Sequence, residues 1–155
     1  MKIKINYFII PLITVLVSLS GSLLTNSGMD WYDTLNLPAV TPLGSFIGLV
    51  WTVIFILTAI SALLVWNKAA RDNRFKLIII LFIANALLNI FWSFLFFYQH
   101  LILAAVIEMI ILEITVLILI YLIWKINKTA SWLLAPYAVW VIFATYLAVQ
   151  ILLLN

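Results

Sequence analysis

The sequence predicts an all-α integral membrane protein: one domain, residues 1–155, built as a bundle of five transmembrane helices with little mass outside the bilayer. Three observations predict it. First, 68% of the 155 residues are apolar and only 8% are charged. The mean hydropathy is +1.30. A soluble domain carries about 25% charged residues, so lipid must be the solvent here. Second, five stretches reach the roughly 20 apolar residues that a spanning helix needs, at about 6–25, 43–66, 77–97, 101–124 and 132–154. Third, the positive charges fall on one side of that five-span arrangement. There are no cysteines, which excludes disulfides and thiolate chemistry. One histidine and five acids leave little material for a metal site.

The first span begins after Lys2 and Lys4 and reaches Ser18-Leu19-Ser20-Gly21. That order has the outline of a cleavable signal peptide. The apolar run continues through Leu23 and Leu24, which is long for such a segment, so it reads as a retained span. The loop at about 26–41 reads NSGMDWYDTLNLPAVT. Asp30 is positioned to cap a short helix through Trp31–Leu35, with Asp33 near its positive end and Pro38 stopping it. Two readings stay open for this loop: a lid, as long ordered loops often are, or an aromatic anchor at the headgroup level.

Thr41-Pro42 reads as an N-cap and first-turn proline opening the second span. That span carries Trp51, Phe55, Thr58 and Ala62 on one stripe. It starts with Gly44-x-x-x-Gly48, a weak small-residue packing pattern. Ala144-x-x-x-Ala148 repeats that pattern in the fifth span. In the third span, Asn85, Asn89, Trp92 and Phe96 fall at i, i+4, i+7 and i+11, again one stripe. Two amides in hydrocarbon need partners. They are either interhelical glue contributing about 0.6–2 kcal/mol or the polar floor of a ligand cavity. The break at Tyr98-Gln99-His100 is short enough to force a tight antiparallel pair.

The fourth span carries Glu108 and Glu113. Five residues subtend about 140° around a helix, so the two acids do not share a face. They are not a catalytic pair by themselves. Each costs about 3 kcal/mol at mid-bilayer, which sixteen Leu, Ile and Val in the span offset. A proton or substrate relay and a hydrogen-bonded acid at a helix interface both remain open. The fifth span opens at Pro136 and carries Tyr137, Trp140, Ala144 and Leu147 on one stripe. Three aromatic stripes with a few amides and hydroxyls describe an apolar pocket for a flat hydrophobic ligand.

Five spans put the N-terminus and the loops at 67–76 and 125–131 on one side. All eight Lys and Arg lie there: Lys2, Lys4, Lys68, Arg71, Arg74, Lys76, Lys125 and Lys128. The formal charge of +3 therefore reads as topology, not as nucleic-acid binding. The expectation is a cytoplasmic N-terminus and an outside C-terminus.

Three blocks resemble the translocator protein family, the tryptophan-rich sensory proteins. The first is Trp31-Tyr32, Leu35, Pro38, Thr41-Pro42, Gly48 and Trp51. The second is Asn85, Asn89, Trp92, Phe96-Phe97 and His100. The third is Leu134, Pro136-Tyr137, Trp140, Phe143-Ala144-Thr145 and Leu147. The resemblance implies a five-helix fold, like that of the family, whose first loop closes over a pocket. It implies porphyrin or haem as ligand, with no cofactor required, or drugs of the benzodiazepine or isoquinoline type. It also implies a homodimer in the lipid bilayer of a bacterial cell.

By motif position the ligand-binding residues are Tyr32, Pro42, Trp51, Phe55, Asn85, Asn89, Trp92, Trp140, Ala144 and Leu147. Leu43, Phe55, Asn85, Val139 and Ala148 depart from the family pattern. A C-terminal cholesterol pattern is absent, since no Lys or Arg follows Tyr146. The leading expectation is a receptor-like or transporter-like protein for tetrapyrroles, with a role in stress sensing. The alternatives are a light-dependent porphyrin-degrading enzyme using Trp51 or Trp140, and a small proton-coupled transporter using Glu108 or Glu113.

Overall fold

The computed structural model describes residues 5–155, and Lys2 and Lys4 lie outside the described residues. Helix α1 runs Asn6–Ser27, a short α2 Met29–Tyr32, α3 Gly44–Lys68 and α4 Asn73–Ser93. Helix α4 continues through a π-helical turn, Phe94–Tyr98. Then follow α5 Ile102–Trp124, α6 Lys128–Trp132 and α7 Ala135–Leu154. Five of these units are long and apolar enough to cross a membrane: α1, α3, α4 with its π turn, α5, and α6 joined to α7. This is the five-helix membrane bundle that the hydropathy pattern predicts.

Helix ends follow local chemistry, with three corrections to the sequence reading. Asp72 caps α4, its side chain accepting from the Phe75 N–H at 2.9 Å. Asn127 caps α6 by accepting from the Ala130 N–H at 3.2 Å. The first correction is that residues 128–132 are helical where the sequence reads as a loop. The second is that α3 starts at Gly44 behind Leu43, and Thr41 does not cap it. Thr41 Oγ1 is instead buried without a partner. The third is that Gly28, not Asp30, occupies the N-cap of α2, while Asp33 ends at its C-cap. Turn bonds from the Thr34 and Leu35 N–H groups carry the coil on to Leu35.

Helix α1 packs on α3 and α4, α5 packs on α4 and α7, and α6 packs on α5 and α3. The core forms three clusters along the bundle. Phe96, Phe97, Ala105 and Ile151 fill the uncharged end. Ile54, Met109, Leu112, Val116 and Val141 fill the middle. Val65, Ile78, Leu119 and Ile123 fill the end bearing Lys68, Arg71, Lys125 and Lys128.

The connection between α4 and α5 is as tight as expected, but it has a special form. The π turn is closed by Gln99 N–H donating to the Phe94 carbonyl at 2.9 Å. His100 then takes a left-handed φ of 58°, uncommon for a residue with a Cβ. Such π turns often sit at functional sites. This one aims Phe96 and Phe97 at the first loop.

Candidate ligand-binding site

The polar stripe of α4 finds its partners on neighbouring helices. Asn85 Nδ2 donates to Thr115 Oγ1 of α5 at 3.0 Å. Tyr137 Oη of α7 donates to Asn85 Oδ1 at 3.0 Å. Asn89 Nδ2 donates to Tyr137 Oη at 2.7 Å. Tyr137 is thus the hub that joins both amides, and Thr115 anchors the far side. Thr115 was not among the residues that sequence motifs singled out; a lone threonine on an apolar helix gave no signal. The network fits the interhelical-glue reading of the asparagines. Asn85 and Asn89 also line a cavity.

Above this network, toward the uncharged end, the aromatic stripes converge. Trp51 meets Tyr137 edge-on at 5.9 Å and tilts against Phe55 at 5.7 Å. Trp92 stacks on Phe96 at 5.3 Å. Trp140 is buried and packs against Phe143 at 5.6 Å and Phe46 at 6.4 Å. Trp51, Trp92, Trp140 and Ala144 belong to one apolar cluster around Tyr137. Trp92 also joins the cluster at the uncharged end, where Tyr32 lies. Leu147 is buried about one turn nearer the uncharged end, on the same helix face as Ala144. Pro42 is half-buried just before α3.

The first loop is docked over that end. Tyr32 lies 6.2 Å from Phe96 and 5.7 Å from Phe97, ring to ring. Trp31 stacks on His100 at 4.1 Å and meets Phe96 edge-on at 5.6 Å. Gly28 sits so close to the π turn that an added Cβ would lie 2.0 Å from the Phe97 carbonyl oxygen. The Asn36 N–H donates to Asn155 Oδ1 at 2.9 Å, and Asn155 Nδ2 donates to the Asn36 carbonyl at 3.1 Å. Burial, and then the neighbouring Asp33 carboxylate, push the Tyr32 phenol above its ordinary pKa.

Several buried polar atoms have no hydrogen-bond partner among the described residues. Trp92 Nε1, Trp140 Nε1 and both carboxylate oxygens of Glu108 and of Glu113 are among them. Each such group costs about 1–3 kcal/mol relative to a satisfied one. Glu108 is buried and Glu113 half-buried, and neither lines the cavity that holds Asn85 and Asn89. That cavity measures about 360 Å³ and also holds Phe55 and Thr58 on its wall. Tyr32, Pro42, Trp51, Trp92, Trp140, Ala144 and Leu147 do not line it. The described residues hold no group of three or more His, Cys, Asp or Glu placed to bind a metal.

Comparison with known proteins agrees with this architecture. Residues 9–154 match the model of the TspO/MBR family. The chain is 36% identical over 125 residues to the tryptophan-rich protein TspO of Bacillus cereus, covering 81% of this chain and 80% of that one. It is 36% identical over 141 residues to the tryptophan-rich protein TspO of Archaeoglobus fulgidus, covering 90% of each. It is 26% identical over 125 residues to the protein CrtK of Rhodobacter capsulatus, covering 81% of this chain and 78% of that one. With five spanning helices and a family match over nearly its whole length, this chain is an integral membrane protein that belongs to the TspO/MBR family.

Proposed function

We propose that this protein is a receptor-like or transporter-like binding protein for porphyrins and similar flat hydrophobic ligands. One observation carries the reading. Two indole N–H donors, Trp92 Nε1 and Trp140 Nε1, are buried without acceptors in an apolar cluster that also presents the rings of Trp51, Tyr137 and Phe143. Aromatic walls suit a flat macrocycle. Orphaned donors suit its peripheral oxygens, since a ligand acceptor would remove the cost of leaving them unpaired. Trp51 and Trp92 flank the macrocycle, Asn89 orients a polar edge, and Tyr32 closes over it. The ligand enters when the first loop lifts, because the rings fill this space in its absence. The hydrogen bonds between Asn36 and Asn155 that tether the loop are exposed, so water competes with them and opening is cheap.

The reading includes a bacterial cell membrane, a cytoplasmic N-terminus and an outside C-terminus. Its support is that every described Lys and Arg lies at one end of the bundle. A periplasmic-type reporter active at the N-terminus would refute this orientation. The binding test is a titration of the purified chain with protoporphyrin IX, followed by tryptophan quenching. Saturable quenching is expected. Quenching that stays linear in ligand would mean adsorption to the apolar surface and end the proposal.

A further inference from the structure

A second site lies at the other end of the bundle. The cavity of about 360 Å³ runs between α1, α3 and α4 in the half nearest the basic loops. On α1 its wall extends from Ile5 to Val17, about 18 Å at 1.5 Å per residue. That is close to the depth of one leaflet, half of a hydrocarbon core about 30 Å thick. The slot exists because α1 is held close only near its other end. Gly21 brings α1 against Ser93 of α4, where a Cβ would stand 3.6 Å from Ser93 Oγ. Farther down, the small side chains of Ala59 and Ala62 on α3 and Ala86 on α4 leave room between the larger Phe55, Trp66 and Phe82 that also wall the slot.

Two polar groups face this slot without partners. Asn6 is only 5% exposed, lines the cavity and leaves its Nδ2 unsatisfied. Thr58 Oγ1 lines it as well and is likewise buried and unsatisfied. A threonine in a helix ordinarily bonds the carbonyl one turn back, as Thr52 and Thr145 do here. At the mouth, Trp66 lines the slot, and the Arg71 guanidinium lies 4.7 Å over its ring.

We propose that this slot holds a single acyl chain whose carboxylate or ester oxygen accepts from Asn6 Nδ2 at the basic end. The chain then runs along α1 toward Thr58, between walls of isoleucine, alanine and phenylalanine. An apolar chain suits the walls, and an oxygen at the mouth suits the unpaired amide and the nearby guanidinium. A free fatty acid and the acyl ester of a bilayer lipid share this chemistry. The inner end of the slot meets Phe55, Asn85, Asn89 and Tyr137, so it adjoins the proposed porphyrin site, while its mouth at Asn6 lies at the basic end.

The test uses the full chain in phosphatidylcholine nanodiscs, with cis-parinaric acid as probe and tryptophan energy transfer as readout. A second arm replaces the acid by phosphatidylcholine esterified with the same chain. Saturable transfer is expected in at least one arm: from the acid if a free fatty acid is the occupant, from the ester if a bilayer lipid is. Ala62→Phe fills the slot and should weaken that transfer by about tenfold or more. Asn6→Leu should weaken it about 2- to 10-fold, the worth of one hydrogen bond. Asn6→Leu should also raise the melting temperature of the unliganded protein, because it removes an orphaned donor. Asn6→Leu, at the basic mouth, should leave protoporphyrin IX affinity within about twofold. If Ala62→Phe fails to insert, the Asn6→Leu result decides. Transfer from neither probe, transfer indifferent to these variants, or transfer lost equally in Trp51→Phe would overturn the proposal. Loss of porphyrin binding alone would leave it standing.

Discussion

The two ends of the bundle treat the same helix differently. At the uncharged end α1 runs into Gly28, whose Cα rests on the Phe97 backbone, and aromatic rings fill the space around it. At the basic end α1 stands away from α3 and α4 and leaves a cavity of about 360 Å³. Both halves of α1 are strongly apolar, so hydrophobicity does not distinguish them. Lipid is as apolar as the helices, and close approach is decided by side-chain size and by hydrogen bonds. Glycine meets backbone at one end. At the other, alanines face isoleucines that cannot reach across.

The sharpest way to break this contrast is Gly28→Ala. A Cβ 2.0 Å from the Phe97 oxygen meets backbone, which cannot rotate away. The loop or the π turn must shift, at a cost of about 1–3 kcal/mol or more. The expected result is a lower melting temperature in detergent and weakened porphyrin binding. Gly44→Ala and Gly48→Ala are the references, since a Cβ there meets nothing within 4 Å. Better helix propensity should leave both neutral or slightly stabilising, by up to about 1 kcal/mol. Equal losses at Gly28 and Gly48 would show that the loop contact does not distinguish the two ends. The open surroundings of Gly44 and Gly48 also mean that their small-residue pattern joins no helices within this bundle.

What the sequence revealed and what it hid divide along the same line. Five spans were legible because the need for about 20 apolar residues is a one-dimensional rule. The partnership of Asn85 and Asn89 with other helices was legible because amides in lipid must be satisfied. The Tyr137 hub was visible only as part of an aromatic stripe, since spacing does not tell which side chain an amide will meet. The π turn and the left-handed His100 left no sequence signal of their own. The slot was hidden for a plainer reason: isoleucine and alanine on facing helices read as ordinary packing, and a void depends on helix separation. Trp66 shows the consequence. It sits at the basic end of α3, where sequence spacing alone does not tell that it lines the slot.

The tryptophans sharpen the comparison next. Trp51→Phe, Trp92→Phe and Trp140→Phe should each weaken protoporphyrin IX binding by about 5- to 150-fold, or about 1–3 kcal/mol. Trp124 is the control, because it sits at the basic end against Trp132 at 6.1 Å. Trp124→Phe should leave affinity within about twofold. If it weakens binding as much as the other three, the aromatic cluster is not the site.

Tyr137→Phe probes the boundary between the two ends. It removes one hydroxyl that donates to Asn85 and accepts from Asn89. The expected loss is about 0.6–2 kcal/mol of stability, read from thermal unfolding. An unchanged melting temperature would mean that the amides repair their bonding through Thr115 or each other.

Alkaline pH tests the docked loop more gently. Burial and then Asp33 raise the Tyr32 pKa, so the folded protein holds that proton more tightly than the unfolded chain does. The associated stability is complete below the ordinary tyrosine pKa of about 10 and declines as pH rises through the folded value. The loop should therefore undock more readily above about pH 10, seen as faster proteolysis within residues 28–41. Tyr32→Phe should remove that pH dependence. A variant that keeps the full alkaline response would assign it to another group.

The smallest effect should come from Asn155→Ala. It deletes the acceptor for the Asn36 N–H and the donor to the Asn36 carbonyl. Both bonds are exposed, so water replaces them at little cost, and the expected change in global stability is below about 1 kcal/mol. Local opening is another matter, because these bonds tether the far end of the loop while Gly28, Trp31 and Tyr32 hold the near end. Hydrogen exchange at the Asn36 amide should accelerate, with exchange at Tyr32 and in α1 unchanged. Porphyrin association should then speed up, since lifting the loop precedes entry, while the equilibrium affinity moves little. If Asn155→Ala instead lowers the melting temperature as far as Gly28→Ala does, the tether and not the glycine contact holds this end together. The contrast between a tight end and an open end would then rest on two asparagines.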